Sequence, residues 1–261
     1  MYVTHAAAAA PSAAAASGAL DQLLGSLSAA AGGQSSFSLA PDLLDLTSRL
    51  LRWPVAQLFP ALDITRCLAL HPATAQQLAA AAGNMATPAI GSLSGAIAAA
   101  AVSGHGPAQQ TGLRLVANCF KEGTLKGWAV QDRELILDGF AGAGSGPAGS
   151  KAVRLGLATV LLNYVVARAA ALAGSGAGDL DEAGGMQMLS CLEDLLRACP
   201  AEESQAAHRA VLALGTLLVG PDAAGLKGVA IDLGLAEQLQ RWSGEAGQVG
   251  AAAREVAQLL K

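Results

Sequence analysis

The sequence predicts an all-α fold built as a stack of helical repeats. Three observations lead there. Apolar residues recur at helical spacing along most of the chain, and no segment shows the sustained alternation of a strand. Three apolar helices carry unexpected polar residues: Arg114, Asn118 and Lys121 in the first, Thr159 and Asn163 in the second, Arg209 and Thr216 in the third. Asn118 and Asn163 are 45 residues apart, and Asn163 and Arg209 are 46 apart. That interval falls in the ~40–47 residue period of armadillo and HEAT repeats. The expected architecture is therefore an armadillo-like superhelix whose polar stripes line one groove.

Residues 1–38 are rich in Ala, Ser and Gly and read as a low-complexity flexible leader, with at most a loose helical turn over Asp21–Leu27. The repeat domain is expected to occupy 39–261. Pro41-Asp42 opens its first helix, which Trp53-Pro54 stops. A helix or pair of short helices over Gln57–Leu70 follows, with Asp63 and Arg66 spaced as an i, i+3 ion pair, and His71-Pro72 ends it. Trp53 and Phe59 read as core anchors. Ala73–Ala82 is a short helix, and Gly83–Gly106 is loose apart from an Ala-rich helix over Ser94–Val102.

The helix Gln109–Lys121 has Leu113, Val116 and Phe120 on its apolar stripe. Trp128–Phe140 is read as one helix with Val130, Leu135 and Leu137 inside, followed by a Gly-rich loop over Gly139–Ser150. Helices then follow at Lys151–Leu172, Met186–Ala198 and Ala201–Val219, with a Gly/Asp loop over Gly174–Gly185. Leu226–Leu233, Ala236–Trp242 and Gly247–Leu260 close the chain.

Composition excludes several function classes. The net charge is −4 with no Lys/Arg run, which does not suggest nucleic acid or an anionic membrane as partner. The run Leu155–Ala167 lies between Arg154 and Arg168 and is too short to span a bilayer. Cys67, Cys119, Cys191 and Cys199 form no CxxC pair and sit in apolar runs, as reduced thiols of a cytoplasmic or nuclear protein do. They and the four histidines lack zinc-ligand spacing, and no metal or cofactor is expected.

Gly144-Ser145-Gly146-Pro147-Ala148-Gly149 satisfies G-x-G-x-x-G, but Pro147 removes an amide and no acid follows at the required distance of about 20 residues. Cys119 paired with a distant His would make a thiol hydrolase, but its mid-helix position favours a packed thiol. A binding module fits better. Amides repeated along stacked helices suit an extended peptide backbone, and arginines suit its carboxylates.

The run Trp53-Pro54, Leu58-Phe59-Pro60, Leu62-Asp63, Arg66 and His71-Pro72 resembles the PUL domain, the C-terminal module of the phospholipase-activating protein family of ubiquitin-system adaptors. The resemblance continues through Asn118-Cys119-Phe120, Leu162-Asn163-Tyr164 and Arg209 to Thr216. It implies an armadillo-like monomer without catalysis of its own. The implied partner is the acidic C-terminal tail of the hexameric AAA ATPase valosin-containing protein. Carried onto this chain, Arg114 and Arg209, with Arg66 as a weaker third, pair with tail carboxylates, and Asn118, Asn163 and Thr216 hold the peptide. The alternative is a helical-repeat scaffold for a different acidic or C-terminal peptide. The family's adaptors also carry a WD-repeat propeller and a ubiquitin-binding domain, and neither fits within a 38-residue leader.

Overall fold

The structure is a computed structural model that describes residues 13–31, 38–83, 85–87, 89–145, 149–175, 182–220 and 223–261. Among these residues there are fourteen α-helices and no β-strand. The helices are α1 (Ala13–Ala31), α2 (Pro41–Leu50), α3 (Phe59–Leu68), α4 (Pro72–Ala80), α5 (Leu93–Val102), α6 (Gly106–Cys119) and α7 (Gly123–Gln131). They continue with α8 (Arg133–Ser145), α9 (Lys151–Ser175), α10 (Glu182–Ala198), α11 (Ser204–Leu218), α12 (Ala223–Asp232), α13 (Leu235–Ser243) and α14 (Gln248–Leu259). A short 3₁₀ turn, Val55–Gln57, precedes α3.

The fold is all-α, as the periodicity predicts. Helices α3, α6, α9, α11 and α14 pack each against the next and form one continuous layer. Helices α4, α5, α7, α8, α10, α12 and α13 cover it from behind, so the chain forms a two-layered helical-repeat superhelix. Prolines set several helix starts: Pro41, Pro60, Pro72 and Pro107 occupy first-turn positions, where the missing N–H costs nothing. Ser92 caps α5 by accepting from the Gly95 N–H at 3.0 Å.

The core follows the layers. Phe140, Tyr164 and Trp242 are among the largest fully buried side chains. Tyr164 donates to the Ala129 carbonyl at 2.9 Å, and its ring meets Phe120 edge-on, with centroids 4.8 Å apart.

Several expectations are corrected. The leader is not limited to a loose turn: α1 runs for 19 residues, packs on α2 and buries Leu23 completely. Part of the low-complexity stretch, 1–12 and 32–37, lies outside the described residues. Trp53 and Phe59 are not core anchors, being 43% and 45% exposed; Leu58 between them is the buried residue.

The single helix expected over Trp128–Phe140 is two. Asp132 ends α7, its carbonyl accepts the Ile136 N–H at 3.1 Å to open α8, and its carboxylate accepts the Met85 N–H at 3.3 Å. An Asp that can satisfy free backbone amides favours such a junction over a helix interior. The break shifts the buried face, so Val130 and Leu135 are exposed while Ile136 and Leu137 are buried.

Three glycines of the expected Gly-rich loop, Gly139, Gly142 and Gly144, extend α8 instead. A Cβ at Gly139 would lie 3.1 Å from the Ala101 methyl and one at Gly144 would lie 2.8 Å from Leu157 Cδ2, so these positions let α8 approach α5 and α9 closely. Of the G-x-G-x-x-G run, Gly144 and Ser145 belong to α8, and 146–148 lie outside the described residues. In the second expected Gly loop, 176–181 lie outside them too, and Gly185 is helical against Leu226.

The apolar helix at the centre is longer than the run Leu155–Ala167. Lys151–Gly174 is long and apolar enough, by length and composition, to cross a bilayer. In this fold it is the central helix of the stack, packed on α6, α8, α10 and α11.

Candidate peptide-binding groove

The two asparagines of the repeated stripes each reach the C-terminal end of the preceding inner helix. A helix leaves its last four carbonyls without backbone partners. Asn118 on α6 donates its side-chain amide to the carbonyl of Arg66, in the last turn of α3, at 3.0 Å. Asn163 on α9 donates in the same way to the Ala117 carbonyl, in the last turn of α6, at 3.2 Å. One repeat later, the Arg209 guanidinium on α11 donates to Thr159 Oγ1 on α9. Thr159 in turn donates to the Leu155 carbonyl at 2.7 Å. Helices α6, α9 and α11 are thus each tied to the inner helix before it.

Between α3, α6, α9 and α11 lies a cavity of about 330 Å³. Arg66, Arg114 and Arg209 line it, together with Asn118, Thr159 and Gly156, and no acidic residue lines it among the described residues. Three guanidiniums around one hollow form a positive site on a chain of net charge −4. Gly156 keeps the floor low: a Cβ there would sit 3.0 Å from the Leu113 Cβ.

The arginines differ in their partners. Arg66 Nε donates to Asp63 Oδ1 at 2.8 Å, as the i, i+3 spacing predicts, and this hydrogen bond raises the guanidinium pKa above its ordinary value. Arg114 is exposed, and with the Gln110 amide oxygen turned towards it, it donates at 2.7 Å. Arg209 is half-buried and meets the neutral Thr159 hydroxyl. A second cavity of about 520 Å³ shares Arg114 with the first and is lined by Phe59, Pro60, Asp63, Ile64 and Pro107.

Of the six predicted site residues, Arg66, Arg114, Asn118 and Arg209 line the cavity together. Asn163 and Thr216 do not. Asn163 lies one helical turn beyond Thr159, with its amide nitrogen engaged by α6. Thr216 is seven residues beyond Arg209, roughly 10 Å along the helix axis, and donates to its own i−4 carbonyl, Leu212, at 2.8 Å.

Sequence reasoning missed a buried ion pair beside the groove. Arg154 Nε donates to Glu203 Oε2 at 2.7 Å and its Nη2 to Oε1 at 2.6 Å, with both side chains at least nine-tenths buried. The pair fixes the start of α9 to the residue that precedes α11. Its signal was an arginine opening an almost wholly apolar helix.

Cys119 is fully buried, its thiol donates to the Leu115 carbonyl at 3.3 Å, and burial pushes its pKa up to about 12. A thiol held protonated and out of reach of substrate is not a nucleophile, which removes the thiol-hydrolase alternative. Among the described residues, no cluster of His, Cys, Asp and Glu could hold a metal ion.

Residues 5–259 match the PUL domain family. The chain belongs to that family. The PUL domain is a protein-interaction module of adaptors, a protein-binding domain rather than a catalytic one. Its fold is shared with the crystal structure of an engineered protein from the Northeast Structural Genomics Consortium, at TM-score 0.61 and 18% identity over 99% of this PUL domain and 95% of that chain. At that identity the likeness carries the fold alone. No curated protein matches the sequence.

Proposed function

We propose that this PUL domain is an adaptor module that binds the acidic C-terminal tail of the AAA ATPase valosin-containing protein, within ubiquitin-dependent protein turnover in the cytoplasm and nucleus. One observation supports this reading above others: three arginines from three of the inner helices, α3, α6 and α11, line a single cavity free of acidic side chains among the described residues. Guanidiniums pair with carboxylates in two-point geometry, and a partly desolvated cavity strengthens each pair relative to open surface. Arg114 and Arg209 take tail carboxylates, Arg66 is the weaker third, and Asn118 presents its amide oxygen to the peptide backbone while its nitrogen serves the fold. Asn163 and Thr216 lie further along the same inner helices, where a longer peptide would run.

The test is fluorescence anisotropy of a labelled peptide copying the ATPase tail, titrated with the full chain at two salt concentrations. Saturable binding that weakens with salt is expected, because exposed charge pairs are screened beyond ~10 Å at 0.1 M. A folded protein that leaves the peptide free would mean that the groove serves a different acidic peptide or none.

A further inference from the structure

The two cavities that meet at Arg114 have opposite character. One holds three arginines; the other is walled by Phe59, Pro60, Ile64 and Pro107 and contains a single carboxylate, Asp63. Asp63 is half-exposed and 2.8 Å from Arg66 Nε, so it stands where the two halves join and neutralises the arginine nearest to it. Among the described residues, Arg114 and Arg209 meet only neutral side-chain partners, Gln110 and Thr159.

We propose that Asp63 is a specificity-determining residue that confines a ligand's carboxylates to the Arg114–Arg209 part of the groove. This rests on the groove binding an acidic peptide. A carboxylate entering the Phe59 half meets Asp63, whose partner Arg66 lines the neighbouring cavity and is already engaged, and reaches only Arg114 of the other two guanidiniums. One placed over Arg114 and Arg209 meets two uncompensated guanidiniums. Asp63 thereby sets the register: the acidic block settles over the arginines, and uncharged residues cross Phe59.

The test uses two labelled synthetic peptides with the full chain. One has four aspartates followed by four glycines; the other has eight aspartates. With the wild-type chain the added aspartates are expected to change affinity by less than about threefold, because they face Asp63 or hang free of the groove. In Asp63→Asn, which keeps the side-chain shape, the eight-aspartate peptide is expected to bind about tenfold tighter at low salt, while the four-aspartate peptide changes by less than about threefold. The eight-aspartate gain is expected to disappear in Asp63→Asn/Arg66→Gln. Equal gains for both peptides would mean a diffuse charge effect, and no gain for either would mean that Asp63 only positions Arg66; both overturn the proposal. If the wild-type chain binds neither peptide, the acidic-ligand reading falls first and takes the Asp63 proposal with it.

Discussion

The Asn118 amide nitrogen lies 3.0 Å from the Arg66 carbonyl oxygen, across 52 residues of chain. The same side chain that faces the groove therefore terminates α3. Asn163 repeats the relationship on α6, at Ala117. Asn118→Ala and Asn163→Ala are expected to cost about 1 kcal/mol each, since each strands a half-buried carbonyl at a helix end. The two ties meet on adjacent residues of α6, Ala117 and Asn118, so the double variant also measures whether they couple. Urea unfolding followed by CD measures this; a double variant as stable as wild type would show that the ties contribute nothing.

Arg114→Glu and Arg209→Glu are expected to weaken tail-peptide binding by more than about tenfold each, with the helical CD signal unchanged. Arg66→Gln should cost less than about threefold, because Asp63 already offsets that charge. Anisotropy titrations of the three variants rank the arginines directly. An Arg66 effect as large as that of Arg209 would contradict the assignment.

The Arg154–Glu203 pair is buried and bidentate. Glu203→Ala leaves a buried guanidinium unpaired and is expected to destabilise by about 3 kcal/mol. Replacing both partners by Leu should recover most of that loss, because the desolvation of two charges disappears with the charges. Thermal melts of the single and double variants give the comparison.

Burial raises the thiol pKa to about 12 at Cys119 and Cys191 and to about 11 at Cys199. A raised thiol pKa means that the folded state holds its proton more tightly than the unfolded chain, whose thiols titrate near about 8.5. The resulting stability is complete below that pH and is lost as pH rises towards the folded values. Iodoacetamide at pH 8 should modify the half-exposed Cys67 first, and Cys119 only at the rate of unfolding. Peptide mass mapping over time separates the two; rapid modification of Cys119 in the folded chain would argue against its burial.

A Cβ at Gly215 would lie 2.7 Å from Val256 Cγ2, at the crossing of α11 and α14. Val is stiff at χ1 and cannot swing aside. Gly215→Ala is expected to destabilise by about 1–3 kcal/mol, although alanine favours a helix more than glycine does. The same urea titration reads it, and a stabilised variant would show that the crossing has slack.

The sequence by itself determined the all-α class, most helix positions and the repeat interval, because apolar spacing and first-turn prolines act within a few residues of themselves. It also singled out Arg114, Asn118 and Arg209, since polar groups inside apolar stripes cost energy unless something meets them, whereas Arg66 entered only through the family resemblance. What meets them is a tertiary matter. Only packing decided that Asn118 and Asn163 close the preceding helix, that Arg154 finds Glu203 across 49 residues, and that Asp63 faces the groove beside Arg66. The same holds for Gly139 and Gly144 of α8: locally they read as a loop, and packing makes them the points where a neighbouring helix lies too close for a side chain. Helical spacing records which residues share a face, and only the stacked layers bring those faces together.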